Sequence, residues 1–321
     1  MLGYIFRYNM NILFIVGSAL TFICTALALG LLKKRLPQDH GREFAVNGDL
    51  SKGKARGAVI ILIGVLVLMF LIFVPSVSME YPLYCLFLVL AMLTGFLDDA
   101  AKKSWNEYLK GALDLVIALG TAFTFYFFNS SKVSFMLIGA EVTLPAWLFI
   151  LLEVILIWVS INVVNCTDGV DGLCATLSIV TIIGFLMVYR IEYPLSPLSI
   201  LTLMFIMMLL AYLLFNSSPS SILMGDAGSR PIGLFIALLA LKTDPILFIP
   251  FAFVFILDGG LGLIKVSLLR FLKISIMKNI RTPLHDHFRK VKDWSDTQTV
   301  FRFAVVQAFV IILIIAWFSM M

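Results

Sequence analysis

Long apolar blocks separated by short polar ones set the pattern of this chain from end to end. A helix needs about 20 apolar residues to cross the hydrocarbon core of a bilayer. On that measure about ten blocks are candidate spans: Met10–Leu32, Gly57–Val74, Tyr81–Leu97, Tyr108–Phe128, Leu144–Ile161, Leu173–Tyr189, Pro197–Phe215, Pro231–Leu241, Pro245–Leu269 and Val300–Met320. The eighth is short and the ninth long. Between the fourth and fifth, Ser130–Pro145 (SSKVSFMLIGAEVTLP) is too polar and too short to span. Its alternation predicts a small hairpin outside the membrane. No signal-peptide cleavage pattern precedes the first block, so that block is expected to remain a membrane helix. The pattern predicts an all-α polytopic membrane protein forming one domain over residues 1–321.

Composition agrees with the pattern. Apolar residues make up 61% of the chain, whereas a soluble domain is about 45–50% apolar. The four cysteines, Cys24, Cys85, Cys166 and Cys174, form no CxxC pair, which argues against a thiolate metal site or a disulfide framework. The net charge of +5 invites a nucleic-acid reading, but the placement of the charges points to membrane topology instead. Loops after odd-numbered spans, with their helix ends, collect 20 of the 24 Lys and Arg, leaving only Arg7, Lys132, Arg190 and Lys242 on the other side. The positive-inside rule then predicts that both termini are extracytoplasmic.

The same assignment sorts the polar motifs onto the predicted cytosolic face. LTGFLDDAAKK carries Asp98 and Asp99, NVVNCTDGVDGL carries Asn162, Asn165, Asp168 and Asp171, SSILMGDAGS carries Asp226, and RTPLHDHFRK carries His285, Asp286 and His287. Adjacent carboxylates at a membrane boundary raise each other's pKa and resist desolvation, a cost that a divalent cation or a neighbouring cationic group relieves. Taken singly, Asp98 and Asp99 could be a solvated helix end paired with Lys102 and Lys103. Asn162, Asn165, Asp168 and Asp171 recur every third residue, so a helix would place them near one face, with Asp171 able to cap the sixth span. Asp226, flanked by Gly225 and Gly228, suits Mg2+, which takes one or two carboxylates plus phosphate oxygens. His285 and His287 lie among Arg281, Arg289 and Lys290, a donor set matched to a pyrophosphate.

In order and spacing, GFLDDAAKK, NVVNCTDGVDGL, MGDAGS and PLHDHF resemble the polyprenyl-phosphate N-acetylhexosamine-1-phosphate transferase family, and the resemblance covers nearly the whole chain. TPLHDHF, followed by Trp294 and VFRF (Val300–Phe303), is most similar to the branch that uses UDP-MurNAc-pentapeptide. The resemblance implies a Mg2+-dependent attack by undecaprenyl phosphate on the nucleotide β-phosphate, giving lipid I and UMP. It implies peptidoglycan synthesis in the bacterial plasma membrane, with membrane lipids as surroundings and room for a homodimer. Asp98 would deprotonate the lipid phosphate, with Asp99 in support, and Asp226 would bind Mg2+. Asn162, Asn165 and Asp168 would contact the nucleotide-sugar, His285 would sit near the diphosphate, and Lys52 and His287 would assist binding.

Three positions depart from the family pattern. Asp286 replaces the middle histidine of a triplet, Leu223 stands where many relatives have an aromatic residue, and SKGKARG replaces a Thr-Pro-Thr-Met-Gly-Gly type stretch. The rival substrate is UDP-GlcNAc. A rival of another class is an ion-coupled transporter using Glu153 and Asp258 inside the membrane. No internal repeat supports it, and the acidic motifs gather at one face rather than at midplane.

Overall fold

The computed structural model describes residues 10–39, 51–74, 78–101, 105–136 and 139–320. Arg7, Arg42, Lys102 and Lys103 of the charge pattern lie outside the described residues. The helices are α1 Met10–Leu32, α2 Val59–Phe73, α3 Glu80–Ala100, α4 Glu107–Asn129, α5 Ala146–Thr167, α6 Leu173–Glu192, α7 Pro197–Asn216 and α8 Asp226–Lys242. A broken pair, α9 Pro245–Phe251 and α10 Phe253–Leu272, is followed by α11 Leu284–Val291 and α12 Asp296–Phe318. The predicted hairpin is present: β1 Lys132–Phe135 pairs antiparallel with β2 Ala140–Thr143.

All ten apolar blocks are helical, but among the described residues seven helices are long and apolar enough to cross a membrane, or eight if the broken pair counts as one span. The structure therefore supports a multi-pass membrane protein with fewer full-length spans than the ten expected. Two blocks fall short for different reasons. α2 is an apolar helix of only 15 residues. α8 has 17, and every residue from Ala227 to Leu241 is buried. A helix that is apolar all round belongs in the interior, and α8 is the hub, packed between α3 and α5 and against α6. At about 1.5 Å per residue it runs some 26 Å, and with no lipid to face it has no need of more.

The ninth block is not one straight span. α9 and α10 meet at a bend of 69°. Backbone groups freed at such a break must be satisfied inside the protein. Gln307 of α12 accepts from the Val254 amide at 2.8 Å and donates to the Phe251 carbonyl at 2.8 Å, while the Thr181 hydroxyl donates to the same carbonyl at 2.7 Å.

Local signals explain several helix starts. Asn106 accepts from the Leu109 amide, Ser196 caps α7 ahead of Pro197, and Ser295 forms a reciprocal capping box with Gln298. At the C-terminal end of α8, Lys242 meets Glu80 at 2.5 Å and Asn129 at 2.6 Å, and Asp244 accepts from the Met136 amide beside the hairpin. The N-terminal end of α8, at the opposite side of the bundle, holds the predicted chemistry.

Candidate active site

Three chain segments bring carboxylates together at the start of α8. Asp98 and Asp99 end α3, and Asp226 opens α8. One oxygen from each lies within 4.8 Å of the others. The approach is close because Gly95 has no side chain: a Cβ there would overlap the Asp226 backbone carbonyl. Gly225 adopts φ +67°, a left-handed conformation that glycine takes without strain. A Cβ at that position would strike Asp99.

Each carboxylate has cationic company. Lys110, in the first turn of α4, bridges Asp98 at 2.5 Å and Asp226 at 3.0 Å. Asp98 also accepts from the Trp105 amide at 2.6 Å. Arg56 reaches Asp99 at 2.7 Å and Asp39 at 3.3 Å, and Asp99 accepts from the Ala227 amide in the first turn of α8 at 3.1 Å. Asp226 is joined by Arg230 at 3.2 Å. Asp226 lies on the loop side of the apolar run that begins at Pro231. Burial works against its ionisation, but Lys110 and Arg230 outweigh burial and hold the carboxyl below the usual range. The positive end of the α8 dipole acts in the same sense.

The end of α5 bridges this cluster to the histidines. Asn165 donates to the Ser229 hydroxyl at 2.9 Å, and Asp168 accepts from the Gly225 amide at 2.9 Å, so both grip the first turn of α8. On the other side, a Cβ at Gly169 would overlap Nε2 of His285. The buried His285 is held twice by Asp258 of α10: its amide donates to Oδ1 at 2.7 Å, and Nδ1 lies 2.8 Å from Oδ2. Nε2, on the other side of the ring, lies 3.9 Å from Oδ1 of Asp286. Phe288 of α11 stacks on Trp294 at 4.3 Å between ring centres, and Arg302 covers Trp294 from 4.2 Å. The Trp294 and VFRF stretch is thus the clamp that seats α11 on α12.

Asn162, Lys52 and His287 have no described contact with the carboxylates. Asn162 donates to the Trp158 carbonyl of its own helix, Lys52 is exposed in a turn, and His287 accepts from the Arg281 amide at 3.3 Å. Asp171 does not cap α6, whose N-cap is Gly172. It binds Lys54 at 3.3 Å and accepts from the Ser220 amide at 2.9 Å, because the Lys54 loop folds back to lie beside Ile222. Asp286 faces Arg281 and Arg289 at 3.7 and 3.8 Å. Leu223 is half-buried, its amide donating to Ala55. Of the two intramembrane acids, Asp258 is committed to His285, while Glu153 is buried with neither oxygen hydrogen-bonded among the described residues.

Sequence reasoning passed over Lys110, Lys54, Arg56 and Arg230 as site residues. Each carried a weak signal: Lys110 interrupts an apolar block, Arg230 follows Asp226 by four positions, and SKGKARG alternates cations. None of these says which carboxylate a cation will meet. The donor set fits a hard divalent cation, being all carboxylate oxygens, and the Lys110 ammonium stands between two of them as such an ion would.

Residues 81–244, which contain the three carboxylates, match the family model for glycosyl transferase family 4. The chain is 39% identical to the phospho-N-acetylmuramoyl-pentapeptide-transferase of Treponema pallidum over 94% of this chain and 89% of that protein. It is 29% identical to the protein of the same name from Symbiobacterium thermophilum over 90% of this chain and 91% of that one. With the one from Dictyoglomus turgidum it shares 27% over 88% and 86%. The chain belongs to glycosyl transferase family 4, as an enzyme of its glycosyl-1-phosphate transferase type.

Proposed function

We propose that this chain transfers phospho-MurNAc-pentapeptide from UDP-MurNAc-pentapeptide to undecaprenyl phosphate in the bacterial plasma membrane, releasing UMP and leaving lipid I. The observation that supports it best is the cluster of Asp98, Asp99 and Asp226 at the start of α8, within a chain so similar to transferases of that name. Mg2+ would be held by Asp226, with Asp98 and Asp99 beside it, and when bound would supply neutralisation of diphosphate charge.

The remaining roles belong to the chain's own groups. Asp98 is the base for the lipid phosphate, and Asp99 keeps Arg56 and the first turn of α8 in register. Lys110 offsets repulsion between two anionic substrates, a positioning task that accounts for much of catalysis in phosphoryl transfer. His285 turns Nε2 towards the α5 end, where it and Arg289 can meet the diphosphate. Asn165 and Asp168 act on the nucleotide-sugar from the same helix end that grips Gly225 and Ser229.

UMP release from purified protein, Mg2+ and undecaprenyl phosphate tests the reading. UDP-MurNAc-pentapeptide should exceed UDP-GlcNAc in kcat/KM by roughly tenfold or more, since its peptide carboxylates add attraction to the basic loops. Asp226→Asn should remove nearly all turnover. Chelator should do the same to the wild type until Mg2+ is restored. Preference for UDP-GlcNAc would move the substrate assignment and leave the carboxylate roles standing. Full activity in excess chelator would end the metal role.

A further inference from the structure

Arg230 is the bulkiest fully buried side chain among the described residues. Its guanidinium meets two carboxylates, Asp226 Oδ2 at 3.2 Å and Asp114 Oδ1 at 3.3 Å, and Asp114 is itself buried on α4. Taking a charge out of water costs several kcal/mol unless partners repay it, and apolar residues of similar volume hold helices together at least as well. Packing alone therefore gives no reason for an Asp–Arg pair at the core of α8.

The geometry around Asp226 gives one. Arg230 and Lys110 both bind Oδ2, so two cations hold a single oxygen. They differ in freedom. Lys110 is about a quarter exposed and has Asp98 as a second partner, so it can leave Asp226 without being stranded. Arg230 is enclosed, and Asp114 anchors its other nitrogen. Were a divalent ion to displace Lys110, Arg230 would stay.

We propose that the Asp114–Arg230 pair positions the metal-binding carboxylate: Arg230 fixes Asp226 through Oδ2, and Asp114 limits how strongly Arg230 competes with the metal. The inference rests on the metal reading of Asp226. Around the site Asp98, Asp99, Asp226, Asp114 and Asp39 are five carboxylates against the three cations Lys110, Arg56 and Arg230. Asp114 thus adds to the acidic excess that would admit a dication, and it does so next to the cation that shares Oδ2 with the metal site. Arg230 and Asp114 are positioning residues, since neither has to touch substrate.

Charge and packing roles predict different outcomes when metal binding is measured without turnover. Mn2+, standing in for Mg2+, is titrated by electron paramagnetic resonance into the full-length purified chain in detergent, without substrates and with Asp226→Asn as control. Asp114→Asn leaves the guanidinium to Asp226 alone and adds one net positive charge, so Mn2+ affinity should fall by about tenfold. Asp114→Asn combined with Arg230→Gln restores the net charge, so affinity should return to within about threefold of wild type. The double variant buries no unpaired ion, so it keeps the test open if Arg230→Gln alone does not fold. It should still show a lowered kcat, because Asp226 has lost its anchor. Affinity unchanged in Asp114→Asn, or lost further in the double variant, overturns the inference while the metal reading stands. A wild type that binds no Mn2+ through Asp226 overturns both.

Discussion

Asp98 and Asp99 are adjacent in the chain and turn to different cations and different backbone amides. Helical geometry separates neighbours by about 100°, so Asp98 turns to Lys110 and Trp105 while Asp99 turns to Arg56 and the α8 amide at Ala227. Loss of either charge therefore has a different expected effect. In Asp98→Asn, Lys110 is left to Asp226 alone and competes harder with the metal, so at saturating Mg2+ nucleotide binding should survive and the chemical step should not. A fall in kcat of about 10²–10⁴ with little change in nucleotide KM is expected from steady-state UMP release. A wild-type kcat would remove Asp98 from the role of base. The doubled carboxylate was legible in the sequence because it is local. Its cations were not, since Lys110 lies 12 positions from Asp98 and Arg56 lies 43 positions from Asp99 on another segment.

At the scale of elements, the site depends on how closely α3 passes the start of α8. Gly95 permits that approach, and the atoms a Cβ would meet are the backbone of Asp226 and Ala227, which cannot swing aside as a side chain could. Gly95→Ala should therefore push the helices apart, costing about 1–3 kcal/mol of stability. It should cost activity more than stability, because the carboxylates of α3 and α8 separate. Gly30→Ala on α1, where a Cβ meets nothing within 4 Å, is the control and should leave both unchanged. Thermal unfolding in detergent and UMP release check the pair of variants, and an active Gly95→Ala enzyme would show that the spacing tolerates a methyl group. Apolar block length predicted α1, α3 to α7 and α12 well because each faces lipid on one side. It misjudged α8, which has no lipid side, and the ninth block, whose bend is set by Gln307 and Thr181 on other helices.

For the whole molecule, the distribution of charge bears on orientation. The split of 20 cations against 4 along the chain predicts that the start of α8 faces the cytosol and both termini lie outside. A reporter fused after Met321 should be active only if it works in the extracytoplasmic compartment. Activity of a cytosol-dependent reporter there would reverse the assignment. The contact geometry is consistent with one chemical face: the end of α3, the start of α4, the end of α5 and the start of α8 converge on the carboxylates, while Lys242 and the hairpin sit at the far end.

The sequence by itself determined the membrane class, the helical blocks, the hairpin and the order of four acidic and basic motifs. These follow from composition, from periodicity and from residues within a few positions of one another, where chain connectivity already enforces the contact. Tertiary structure alone decided that α8 is the buried hub, that the ninth block bends, and that Asp258 holds His285 and Asp171 holds Lys54. It also decided that Lys110, Arg56 and Arg230 neutralise the carboxylates. A charge buried beside a membrane must find its counter-charge wherever packing brings one within about 4 Å, and distance along the chain does not encode that.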